Sequence, residues 1–115
     1  MGDFHFSVTA GETFARAMQW WTVENITARD LTGYAMEMQV RDKPGGTIYA
    51  TLSTANGKIS IYDAAAGKFR ATLTAAETAA LTAGTYRYDL KVTDTGSSVS
   101  YPMRGSFIVR APVTP

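Results

Sequence analysis

Cysteine is absent from the 115-residue chain, which excludes disulfide stapling, thiolate metal sites and cysteine nucleophiles. Histidine occurs once, as His5. One histidine beside Phe4 and Phe6 is a poor start for a zinc site or a Ser-His-Asp triad, and no Gly-x-Ser-x-Gly elbow presents a serine. Neither sign of charge dominates: eleven Lys and Arg against ten Asp and Glu leave a net +1. The cations are scattered rather than clustered, so nucleic acid is not an expected partner. No apolar run approaches the ~20 residues that span a bilayer, so no membrane is expected either. The opening MGDFHFSVTAG lacks the positive and apolar regions of a secretory leader. Phe6 stands where a myristoylation motif has Ser or Thr. Together these absences lead us to expect a soluble protein made in a cytoplasm.

What is present is a repeated β rhythm. Hydrophobic residues make up 45% and charged residues 18% of the chain, as in ordinary globular proteins, and a chain this long buries roughly two-thirds of its unfolded surface. Bulky residues alternate through Phe4, Phe6 and Val8, then through Phe14, Met18 and Trp20 with Arg16 as the odd member. Asp30-Leu31-Thr32-Gly33 reads as a turn. After it, Tyr34, Met36, Met38 and Val40 alternate with Ala35, Glu37, Gln39 and Arg41, as on a strand with one dry and one wet face. Lys43-Pro44-Gly45-Gly46 turns the chain again. Asn56-Gly57 between Ile48–Leu52 and Ile59–Tyr62 is a hairpin signal.

Thr74-Ala75-Ala76-Glu77 fits a helical capping box, with about two turns of helix to Leu81 and a stop near Gly84. Tyr86, Tyr88, Leu90 and Val92 then alternate with Arg87, Asp89, Lys91 and Thr93. Asp94–Ser98 turns into Val99–Met103 and Gly105–Val109, with a bulge expected at Gly105. This pattern predicts an all-β fold, an immunoglobulin-like antiparallel β-sandwich with one short helical connection; a small barrel is the alternative. Residues 1–110 form the single domain and 111–115 an extended tail with two prolines.

The residues offer several candidate chemistries. Asp94-Thr95-Gly96 matches the Asp-Thr-Gly of aspartic proteases, whose retroviral type is about this length and works as a homodimer. Those enzymes carry the triplet in the first third of the chain, whereas here only Val99–Pro115 follows, so a hairpin turn is the expected role. Asp30, Asp42, Asp63 and Asp94 all fall at turns rather than forming a pair. Trp20-Trp21 with Phe14, Tyr34, Tyr86, Tyr88 and Tyr101 raise the possibility of a sugar platform, but Trp20 and Trp21 cannot both be core on a regular strand. With Trp20 inward, Trp21 faces outward or packs under a loop or neighbouring subunit, as a contact residue or a sugar platform. Arg16 either snorkels from the apolar face or bridges an oligomer interface. Trp21, Arg16 and the tail residues Pro112 and Val113 are the interface candidates; no catalytic, metal or cofactor site is expected.

Four segments occur in an order seen in a group of small phage and prophage proteins: Gly11–Phe14, Leu31–Tyr34 running into Met38–Thr47, Leu73–Leu81, and Gly84–Leu90. The group resembles the N-terminal domain of siphophage baseplate upper proteins. Arg16 and the Trp pair depart from its simpler apolar/polar strand. The resemblance implies a non-enzymatic virion building block near the tail or baseplate, made in the host bacterial cytoplasm. Its implied partners are other virion proteins and further copies of itself in a homo-oligomer. A carbohydrate-binding module is the alternative from a different class.

Overall fold

The computed structural model describes residues 2–20 and 30–113. The strands are β1 (Gly2–Asp3), β2 (Phe6–Thr9), β3 (Phe14–Gln19), β4 (Ala35–Arg41), β5 (Ile48–Ser53), β6 (Ile59–Asp63), β7 (Lys68–Leu73), β8 (Gly84–Thr93) and β9 (Val99–Arg110); one helix, α1 (Ala75–Ala79), follows β7. The strands form two sheets. One has the order β1-β9-β8-β4-β5, with β2 beside β9 further along, and the other is β3-β7-β6. This is the layout of an immunoglobulin-like sandwich: β3, β7 and β6 take the places of strands B, E and D, and β4, β8 and β9 those of C, F and G.

Period-two alternation explains which face each strand buries. Met36, Met38 and Val40 of β4 and Tyr86, Tyr88, Leu90 and Val92 of β8 are all buried. They meet Phe14, Phe69, Leu73, Leu52 and Ile59 in one core. Each such side chain contributes about 1.5–3 kcal/mol by leaving water. Tyr86 also donates its hydroxyl to Thr82 O at 2.5 Å, the tyrosine corner of this architecture. Tyr88, two residues on, stands where antibody domains carry the second disulfide cysteine. Its ring lies 5.1 Å from Phe6, which contacts Phe14 (5.5 Å) and Phe107 (6.4 Å). An aromatic cluster thus fills the place of the inter-sheet bridge.

Several details differ from the sequence expectation, among them Phe4, which lies between β1 and β2 and is exposed rather than sharing the buried face of Phe6 and Val8. The sandwich is antiparallel except that β1 and β2 run parallel to β9. The Asn56-Gly57 segment does not close a hairpin: β5 pairs with β4, and β6 with β7. The turn is real, with Asn56 Oδ1 accepting from Ser53 N and Lys58 N (both 2.9 Å), but it carries the chain from one sheet to the other. Gly105 is not a bulge, since it pairs in register with Tyr88. It is glycine because a Cβ there would lie 2.0 Å from Phe4 O.

The helix expectation holds in its start and not in its length. Thr74 and Glu77 form both bonds of the capping box, but α1 ends at Ala80 as C-cap, and Gly84 opens β8 instead of stopping the helix. Buried Thr78 fixes α1 to the rest of the fold. Its hydroxyl donates to Glu12 O (2.7 Å) and accepts from Gly11 N (3.1 Å).

Candidate functional site

The sequence candidates scatter over the molecule. Arg16 sits where the edges of the two sheets meet without a shared ladder. Its guanidinium donates to Ser7 O of β2 (3.0 Å) and to Ala15 O of its own strand (3.1 Å), and it lies 4.8 Å over the Phe14 ring. The stem therefore packs and the head latches β2 to β3 within one chain. Pro112 and Val113 follow the end of β9 and are exposed, Val113 fully. Trp21 lies outside the described residues; Trp20 is buried.

Asp94-Thr95-Gly96 occupies the β8–β9 turn. Asp94 Oδ1 accepts from Gly96 N and Ser98 N (both 2.9 Å), and Ser97 takes a left-handed φ of 64°. Asp30 and Asp63 hold turns in the same way, accepting from Thr32 N and Ala66 N. The Thr32 hydroxyl, and then its amide, hold the Asp30 carboxyl below the usual carboxylate range. His5 Nδ1 accepts from Ser106 N at 2.9 Å, fastening the N-terminal segment to β9. Among the described residues no three His, Asp or Glu side chains gather as a metal site would require.

Two features of the surface go beyond the sequence candidates. The first is a set of exposed tyrosines at ladder irregularities. Val40 pairs with Ala50 and Arg41 with Ile48, leaving Tyr49 as an extra residue on β5. The register between Ser60 and Asp63 leaves Ile61-Tyr62 opposite one residue of β7. That between Leu90 and Val92 leaves Tyr101-Pro102 opposite Lys91. Tyr49, Tyr62 and Tyr101 are 46%, 47% and 60% exposed. Bulges aim side chains outward and interrupt edge pairing, so these rings project where backbone pairing is broken. Tyr62 is flanked by the Arg70 guanidinium, 4.9 Å from its centroid. Tyr49 packs edge-on against Tyr86 at 5.0 Å.

The second feature is a groove of about 380 Å³ on the outer face of the larger sheet. It is lined by the wet-face residues Glu37, Gln39 and Arg41 of β4 and Arg87, Asp89 and Lys91 of β8, together with Lys43-Pro44-Gly45 of the turn after β4 and Tyr101. An adjoining hollow, which shares Pro44, Arg87 and Asp89, adds Arg104 and His5. Five cations face two carboxylates here, an excess of three in a chain whose net charge is +1. The alternation of β4 and β8 showed that these residues would be outward. That they would lie side by side depends on the β4–β8 register, which no local signal encodes.

No protein-family model matches the chain, and no curated protein matches it. Among solved structures the chain is similar to CopC from Methylosinus trichosporium OB3b, with a TM-score of 0.51 and 9% identity over 96% of this chain and 87% of that one. At that identity the likeness shows the fold alone. The topology and this likeness together make the chain an immunoglobulin-like β-sandwich.

Proposed function

We propose that the protein is a non-enzymatic structural or assembly component of a tailed-phage or prophage virion, associated with the tail or baseplate. It acts by protein–protein contact with other virion proteins and with copies of itself, and uses no cofactor. The observation that carries this reading is the placement of Tyr49, Tyr62 and Tyr101, exposed at three separate bulges on two sheets. Tyrosine is a favoured interface anchor because it brings a large rigid ring with a polar tip. The order of the four sequence segments supplies the virion context. Edge pairing, the other contact mode that a sandwich offers, is disfavoured at β5 and β6, whose ladders are irregular. Side-chain packing on the rings is the mode we favour.

Light scattering on the purified chain, alone and mixed with tail proteins encoded by neighbouring genes, tests the reading. An oligomer or a stable complex is expected, weakened by Tyr49→Ser with Tyr101→Ser. A strict monomer that binds none of those proteins overturns it. A glycan-binding reading has one specific observation in its favour: Tyr101 borders a groove rich in hydrogen-bonding groups. A glycan array separates the two, since any hit lost in Tyr101→Ala supports a sugar platform, and a blank array removes it.

A further inference from the structure

The outer face of the larger sheet carries charge that the fold does not use. Arg41 of β4 and Arg87 of β8 are direct cross-strand partners, a position where like charges repel and cost stability. Arg41 donates to Gln39 Oε1 (2.7 and 3.2 Å) and to Gly46 O (2.7 Å). Among the described residues Arg87 reaches only Ser106 Oγ, at 3.5 Å. All these acceptors are neutral. Among the described residues neither guanidinium has a carboxylate within salt-bridge range. The groove's own acids have other cations as cross-strand neighbours: Glu37 is opposite Lys91, and Asp89 is opposite Arg104. Asp42, next in sequence to Arg41, directs its carboxylate at Gly46 in the turn. The surplus is therefore local, made of Arg41 and Arg87 with Lys43 in the same lining.

We infer that this groove docks a carboxylate-bearing segment of a partner protein, with one side-chain carboxylate received between Arg41 and Arg87. A guanidinium presents a planar fork that matches a carboxylate with two parallel bonds. Arg41 is already held in place by Gln39 and Gly46, so little freedom is lost when it binds. Pro44 and Tyr101, also in the lining, offer apolar contact to the rest of a peptide. Glu37 and Asp89 belong to the same lining, where they would repel a continuous phosphate backbone but leave room for isolated carboxylates between them. The inference rests on the assembly reading only in taking the partner to be a protein.

The test is a nitrogen-15 NMR titration of the full chain at low salt with the peptide acetyl-Gly-Glu-Tyr-Glu-Gly-amide, its Gln-for-Glu analogue, and an oligothymidylate. The Glu peptide is expected to shift the Arg41 and Arg87 resonances and those of Lys91, and the Gln peptide to leave them in place. Arg87→Gln weakens binding about tenfold, in line with loss of a charged partner from a carboxylate contact. Arg87→Glu abolishes binding without lowering the thermal midpoint, because its carboxylate now faces Arg41. Absent shifts, equal shifts with the Gln peptide, shifts centred outside the groove, or tighter binding of the oligothymidylate would each overturn the inference. Peptide binding by a chain that fails the light-scattering test leaves the groove standing and removes the assembly reading; the converse result removes the groove alone.

Discussion

Replacing Arg16 by methionine probes how the open side of the sandwich is closed. The perturbation deletes two donations, to Ser7 O and Ala15 O, and the cation over the Phe14 ring, while keeping an unbranched stem to cover the same surface. Each hydrogen bond is worth about 0.5–1.5 kcal/mol net, with the low end applying because the freed carbonyls meet water rather than a dry interior. A partly exposed cation–π contact adds about 0.5–1 kcal/mol. The methionine sulfur returns part of this through the ring, about 0.3–1.5 kcal/mol. The balance centres on a loss of roughly 1 kcal/mol, or about 4 °C in thermal midpoint at this chain length. Urea unfolding followed by tryptophan fluorescence measures the total, and amide exchange locates it. Faster exchange is expected in β2 and β3, with β4 and β8 unchanged. A variant as stable as the parent, or a loss spread evenly over both sheets, would refute the latch.

Two further outcomes follow from positions elsewhere in the fold. Gly105→Ala sets a Cβ against Phe4 O, 2.0 Å away, so the segment bonded through Phe4 N to Arg104 O (2.8 Å) must shift. A cost of about 2–4 kcal/mol is expected from overpacking and the lost bonds, and calorimetry showing no change would contradict the placement of β1. Glu77 is ion-paired with Lys58 and accepts from Thr74 N; the Lys58 contact first, then the Thr74 amide, hold its carboxyl below the ordinary range. A lowered folded value means that the contribution is complete above the unfolded glutamate range near about 4.3. It is lost as pH falls through the folded value. Glu77→Gln is therefore expected to be less stable than the parent near neutrality, by a capping-scale ~0.5–1 kcal/mol, with the gap closing in acid. Urea midpoints across pH check this, and a gap that persists at the acid end counts against the pair.

The strands on which period two runs longest were the most legible. On β4 and β8 every second residue from Met36 to Val40 and from Tyr86 to Val92 is buried, because a strand that covers a core has no other way to hide them. The capping box and the Asp94 turn were equally readable, since both are written within five residues. Partner choice was not. Asn56-Gly57 specifies that the chain turns, and nothing in it says whether the next strand joins the same sheet. The parallel seat of β2 on β9 depends on Phe6 finding the aromatic cluster, a long-range matter. Gly105 signalled special backbone geometry, and the structure assigns that geometry to a close neighbour rather than a bulge; the irregularity lies at Tyr101-Pro102 instead. The groove was half visible: its residues could be read as outward, but the Arg41–Arg87 juxtaposition required two strands to be brought into register. Pro112 and Val113 give no more in the structure than exposure.

The seating of β2 on β9 also sets a timetable. His5 is bonded to Ser106 across 101 positions of chain, and Phe6 lies beside Phe107 in the same ladder. During synthesis Phe6 and Val8 leave the ribosome well before β9 and have no strand to pair with until it emerges. At about 5–20 residues per second that interval is roughly 5–20 s. The vulnerable state is thus the nascent one, in which bulky side chains wait in water for a strand not yet made, and it is there that a chaperone would find something to hold.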